Sequence, residues 1–178
     1  MSLLTALRPP KRNLRRPAVR RRGFTLVEML VALAIIGILT ALALPSFKTL
    51  VQNQNVKAGA ADLQTSLFYA RSEALKRAVN VDVIPVGNDW QNGWTVQLPD
   101  ATVLRAQRAL NSALTSMPVA SGARISYQSD GHVVTAPAAI VVKVAGNTRV
   151  TARCVVVDLS GRPRVRADTD GNPSNGCN

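Results

Sequence analysis

From Phe24 to Leu44 the chain reads FTLVEMLVALAIIGILTALAL, 21 residues with a single charge, Glu28. A helix rising about 1.5 Å per residue needs about 20 apolar residues to cross a bilayer, so this run is long enough to span one. Arg20, Arg21 and Arg22 stand immediately before it. Basic residues stay on the cytoplasmic side, which predicts the amino end inside and residues 45–178 outside.

The net charge of +12 over 178 residues first suggests a nucleic-acid partner. Its distribution moderates that reading. Arg8, Lys11, Arg12, Arg15, Arg16, Arg20, Arg21 and Arg22 all fall within residues 1–23, where no acid occurs. Beyond them 14 basic residues face all 10 acids, a net of +4. Most of the basicity therefore belongs to a leader, which must be set aside before partners are considered.

Several readings fit an apolar run near the amino terminus. A secretory signal has a core of about 7–15 residues before a small-x-small cleavage site. Ala41-Leu42-Ala43 offers such a site, but the run is longer and has a carboxylate near its start. Arg21-Arg22-Gly23-Phe24 superficially matches a twin-arginine signal and meets the same objection. A plain anchor explains the length and leaves Glu28 unexplained.

The stretch RRGFTLVEMLVALAIIGILTALALPSF resembles the type IV prepilin signature: basic leader, Gly, Phe, Thr-Leu-x-Glu, then an apolar helix interrupted by Pro. The resemblance implies that a prepilin peptidase cuts between Gly23 and Phe24 and methylates the new amino group of Phe24. It also implies an assembly role for Glu28. Independently, an ionised carboxylate in hydrocarbon costs at least about 2.5 kcal/mol, so an intramembrane acid marks a functional site. The free amine of Phe24 on a neighbouring subunit is a natural partner, since pairing offsets most of that cost. The alternative is that Glu28 simply reaches the inner interface.

Pro45 is expected to kink or locally melt the helix rather than end it. Phe47, Leu50, Val51, Ala58, Ala61, Phe68, Leu75 and Val79 then recur at three- and four-residue steps, predicting an amphipathic continuation to about Ala78. This stripe requires a partner that the rest of the chain must supply. From Val81 the pattern changes to short β-type runs at 81–85, 94–98, 102–107, 124–128, 139–145, 149–158 and 162–167. Turn residues separate them: Gly87-Asn88-Asp89, Gln91-Asn92-Gly93, Ser129-Asp130-Gly131, Gly146-Asn147 and Ser160-Gly161. A tight hairpin is expected at Gly146-Asn147, and an exposed loop over 111–123. The fold class is thus α+β and pilin-like: a long amino-terminal helix packed on an antiparallel head. The organisation is a leader at 1–23, a helix at 24–79 and a periplasmic head at 80–178.

Trp90 and Trp94 read as core or edge residues rather than a ligand platform. Neither a catalytic triad, a metal-binding triplet nor a phosphate-cradling glycine loop is present, so an enzyme is not expected and no cofactor is implied. Cys154 and Cys177 are too few for a closed zinc site, and the lone His132 could only add a third ligand. In an oxidising compartment a disulfide is the default, with two unrelated thiols as the alternative.

The Trp90-x-x-Gly93-Trp94 segment and CVVVDLSGRPRVR at 154–166 resemble the GspH/FimT family of minor pseudopilins. Members cap type II secretion pseudopili or type IV pili, and one branch, marked by Gly-Arg-x-Arg, binds DNA during natural transformation. Gly161-Arg162-Pro163-Arg164 matches that mark. On a strand alternate residues share a face at roughly 6.6 Å, so Arg162, Arg164 and Arg166 would form a cationic row near phosphate spacing. Guanidinium groups bind phosphate bidentately and stay charged. The competing reading is a solvated edge strand protected by charge, partly offset by Asp168 and Asp170. The Asp168-Thr169-Asp170-Gly171-Asn172 run hints at calcium but lacks a distal bidentate glutamate, and Asx-type turns explain it more simply.

The partners implied are major and minor pilin subunits, a prepilin peptidase, the inner membrane and double-stranded DNA. The alternative is a structural initiating or tip pseudopilin of type II secretion that binds no DNA.

Overall fold

The computed structural model of the chain describes residues 23–117, 124–134 and 139–170. Helix α1 runs from Leu26 to Arg77, with Pro45 inside it. Two compact units divide at residues 41 and 42 and are treated separately.

In the first unit, α1 opens on a reciprocal cap. The Glu28 amide donates to Thr25 Oγ1 at 3.2 Å, and the Thr25 amide donates to Glu28 Oε2 at 3.4 Å. This is the capping-box arrangement, which satisfies amides that otherwise lack helical partners. Thr40, a polar residue of the apolar run, returns its hydroxyl to the Ile36 carbonyl at 2.7 Å, so its donor is satisfied within the helix. The helix is long and apolar enough, by length and composition, to cross a membrane.

In the second unit, α1 buries Val56, Ala60, Leu63, Leu67, Ala70 and Ala74. These steps of four and three trace one face of the helix. The expected stripe is the wrong face. Phe47, Leu50, Phe68, Leu75 and Val79 are all exposed, as are Val51, Ala58 and Ala61. The reason is physical. Gly59, Ala60, Ala70 and Ala74 are small, so the sheets can approach the helix closely around the buried Val56, Leu63 and Leu67. Lys76 and Arg77 favour the helix C-terminus electrostatically, and α1 gives way to Ala78 at a left-handed φ of 53°.

Eight strands follow: β1 Val81–Pro85, β2 Trp94–Gln97, β3 Val103–Gln107, β4 Leu114–Met117, β5 Ile125–Tyr127, β6 Ile140–Val144, β7 Arg153–Val157 and β8 Pro163–Ala167. They form two four-stranded sheets, ordered β3-β2-β1-β5 and β4-β6-β7-β8. Every pairing is antiparallel. The head therefore carries two antiparallel sheets. Each docks on α1: Gly59 meets Leu110, Leu114 and Val142, Gln64 Nε2 donates to the Pro163 carbonyl at 3.3 Å, and Arg105 lies over the Tyr69 ring.

Two further expectations change. Strand β4 occupies part of the segment expected to be a loop, pairing Leu114 with Val144; residues 118–123 lie outside the described residues. The predicted tight hairpin at Gly146-Asn147 is instead a broad connection between Val144 and Arg153. Asn147 explains its breadth. Its Oδ1 accepts the Arg149 amide at 3.1 Å in an Asx turn, and its Nδ2 donates to Gln52 Oε1 at 2.6 Å, tying the loop to the helix.

Trp90 and Trp94 are core residues, with ring centroids 6.1 Å apart and tilted by 54°. Gly93 between them has φ +92°, and a Cβ there would lie 2.3 Å from the Gln107 carbonyl. The Trp-x-x-Gly-Trp spacing thus lets β3 pass directly over a residue without a side chain.

Candidate functional sites: the processing segment and the arginine strand

Gly23 and Phe24 precede α1, and both are exposed. Glu28 sits one helical turn in, also exposed, and its carboxylate is shared with the helix cap. The Thr-x-x-Glu spacing is the signal that reveals this cap. A second, local role for Glu28 therefore accompanies the assembly role expected from the prepilin signature.

The arginine strand lies in the other unit. Strand β8 begins at Pro163, so Arg162 stands just ahead of it, and Arg164 and Arg166 lie within it. Burial alternates: Pro163 is buried and Val165 half-buried against the core, while Arg162, Arg164 and Arg166 are exposed. Arg164 and Arg166 therefore share the exposed face of β8, and Arg162 is exposed in the turn that leads into it.

The turn before β8 is built from Asp158. Its Oδ1 accepts the Arg162 amide at 3.1 Å and the Ser160 hydroxyl. Its Oδ2 stands 3.7 Å from Arg164 Nη2. The Ser160 hydroxyl, then the Arg162 amide, and then the charges of Arg164 and Arg162 hold its carboxyl below the ordinary carboxylate value. Both partners of the Arg164 ion pair are well exposed, so the pair contributes little to stability and leaves Arg164 available. Asp158 went unnoticed in the sequence, although Asp-x-Ser-Gly carries the usual turn chemistry.

Gly161 is the pivot. Its φ is +74°, and a Cβ there would fall 2.1 Å from the Gly131 carbonyl oxygen and 3.1 Å from Tyr127 Cε1. The loop after β5 thus presses on the turn before β8, and the Val133 amide donates to the Leu159 carbonyl at 3.3 Å beside it. The glycine that opens the Gly-Arg-x-Arg run is accounted for by packing, without invoking any ligand.

Asp168, just past β8, is 6% exposed, and its Oδ1 has no hydrogen-bond partner. Burial first, and then the neighbouring Asp170, push its carboxyl upward, so it offsets the arginine row less than a solvated aspartate would. No group of three or more potential metal-ligating side chains is found among the described residues. Asn172, at the end of the possible calcium run, lies outside them.

Cys154 is completely buried on β7, paired across the ladder with Arg166. None of the described cysteines is free; Cys177 lies outside the described residues. The expected sites thus fall into two groups. Gly23, Phe24 and Glu28 cluster at the start of α1. Gly161, the three arginines and Cys154 gather on β7, β8 and the turn between them.

A long amino-terminal helix, capped at a Thr-x-x-Glu start and packed on antiparallel sheets, defines a pilin-like subunit. The family described as Type II transport protein GspH matches residues 59–161, more than half the chain, and the prokaryotic N-terminal methylation motif matches residues 19–44. The chain belongs to the GspH family, as a minor pseudopilin of the GspH/FimT kind. Fimbrial protein Q of Moraxella bovis is 33% identical over 67 residues, 34% of this chain and 43% of that protein. The type IV major fimbrial protein FimA of Dichelobacter nodosus is 27% identical over 109 residues, 60% of this chain and 63% of that one. The chain thus spans less than two thirds of the length of these relatives. The crystal structure of the type IV minor pilin FimU of Pseudomonas aeruginosa superposes with a TM-score of 0.58 at 19% identity, covering 72% of this chain and 99% of that one. That likeness is one of fold.

Proposed function

We propose that this chain is a minor pilin that binds double-stranded DNA through Arg162, Arg164 and Arg166 during DNA uptake. In this reading prepilin peptidase cuts between Gly23 and Phe24 and methylates Phe24. The apolar helix is held in the inner membrane with the head in the periplasm, and the subunit enters a filament with other major and minor pilins. The observation that carries the DNA reading is the alternation along β8, with Arg164 and Arg166 exposed and Pro163 and Val165 turned inward, and Arg162 exposed just ahead of the strand. A row of cations at roughly 6.6 Å steps matches a phosphate backbone and reads no bases.

The test is binding of duplex DNA over a salt series. Arg162→Gln and Arg164→Gln should each weaken binding and reduce the salt slope by about one unit. In cells, transformation should fall while pili persist. Binding unaffected by both substitutions would return the chain to the second reading, a structural pseudopilin of type II secretion. The exposed apolar residues Phe47, Leu50, Phe68, Leu75 and Val79 fit a surface that packs against other subunits, since large apolar patches mark interaction surfaces. A filament subunit requires such a surface under either reading.

Processing has its own check. Mass spectrometry of the membrane-extracted protein should find an N-methylated Phe24 at the amino terminus. A chain beginning at Leu44 would point instead to conventional signal cleavage.

Cys154 and Cys177 are expected to be bridged in the periplasm, holding the tail against the outer face of β7 and β8. With 22 residues between them, loop closure contributes on the order of 3 kcal/mol. Alkylation without reductant should label neither thiol. Labelled thiols in periplasmic material would contradict the bridge.

A further inference from the structure

The strand is not the only source of arginine at this corner of the head. Arg71, on the half-buried flank of α1, donates from Nε to the Gly131 carbonyl at 3.0 Å. That oxygen is the atom that presses on Gly161, at the position where a Cβ would lie 2.1 Å away. One carbonyl thus joins a helix arginine to the turn that opens the arginine row. The ring of Tyr127 packs beside the same turn, its Cε1 3.1 Å from the Gly161 Cβ position. The ion pairs among the described residues engage Glu73, Asp82, Asp130 and Asp158, and none of them involves Arg71.

From this juxtaposition we infer that Arg71 is a fourth phosphate-binding residue, added to the end of the row at Arg162. The inference rests on the DNA-binding reading and deepens it. Fixing Nε against a backbone carbonyl leaves the two terminal nitrogens of the guanidinium as donors for a phosphate oxygen pair. Holding the group in place beforehand lowers the ordering cost of that contact. Partial burial strengthens the attraction, because a charge on the flank of the head is less screened than one on a free side chain. The backbone of one DNA strand would run along β8 and across the Gly161 turn to the helix.

The test uses the detergent-solubilised mature chain and a mixed-sequence 30-base-pair duplex as the probe. Arg71→Gln should weaken binding several-fold at low salt and lower the salt slope by about one unit, while Arg71→Lys should retain the slope. Wild-type affinity and slope in Arg71→Gln would overturn the inference. So would weaker binding with an unchanged slope, because Arg71 would then only support the Gly131 loop. Arginine-specific modification of the wild-type protein provides a measurement independent of any variant's folding. Duplex DNA should protect Arg71 together with Arg162 and Arg164, and a fully reactive Arg71 beside protected Arg162 and Arg164 would refute its contact. A wild-type chain that binds no duplex at all would remove the underlying reading, and the inference with it.

Discussion

Gly161→Ala is expected to destabilise the head by at least about 2 kcal/mol and to lower its melting temperature by on the order of 10 °C. Two independent costs combine. The residue adopts φ +74°, a region that alanine enters with strain, and the new methyl would sit 2.1 Å from the Gly131 oxygen. Relief requires the loop after β5 to move, which would break the Arg71 hydrogen bond and the Val133–Leu159 bond. DNA binding should fall as a consequence of folding, so the melting curve and not the affinity is the informative readout. A Gly161→Ala chain that melts with the wild type would show that the two loops do not press on each other. Gly146 makes a useful control, because nothing lies within 4 Å of its Cβ position. Its φ of +68° leaves only the backbone cost, so Gly146→Ala should be the milder change.

Glu28→Ala should abolish incorporation into the filament while leaving the melting of the head unchanged. The head is a separate compact unit, so removing a side chain at residue 28 takes nothing from its core. The complication is the cap, since Glu28 also accepts the Thr25 amide at the helix start. Loss of a capping interaction costs about 0.5–2 kcal/mol locally. Glu28→Gln separates the two roles, because glutamine can complete a capping box but cannot neutralise the amine of a neighbouring Phe24. If charge pairing drives assembly, both substitutions should block it. Normal incorporation of Glu28→Gln would reduce Glu28 to a helix cap.

The amino-terminal motif was legible because its residues act locally: a basic flank, a glycine, an aromatic and an acid within an apolar run, at fixed spacing, need no knowledge of the head. Turn residues likewise announce themselves: Gly87, Gly93, Gly131 and Gly161 all adopt positive φ. Long-range packing was less readable. Helix α1 has large apolar residues on two faces, Leu63 and Leu67 on the buried one and Phe68 and Leu75 on the exposed one, so size and hydrophobicity alone do not choose between them. The buried face depends on small residues such as Gly59, Ala60 and Ala74, which score weakly as hydrophobic yet set how closely the sheets approach. Strand β4 was missed because only Leu114 of its first residues offers an apolar anchor before a polar Thr115-Ser116 pair. The role of Gly161 was also invisible, since its partner Gly131 lies thirty residues earlier and meets it only in three dimensions.

The central claim, that this subunit binds DNA by its phosphates alone, is tested most directly by titrating the wild-type chain with duplex DNA across a range of salt. With three to four phosphates engaged, the logarithm of the binding constant should fall against the logarithm of salt with a slope of roughly −2.7 to −3.6. Duplexes of different sequence should bind alike, and substituting Arg162, Arg164 and Arg166 together by glutamine should flatten the line. No binding at low salt, or binding that ignores both salt and the triple substitution, would contradict the account and leave a structural pilin.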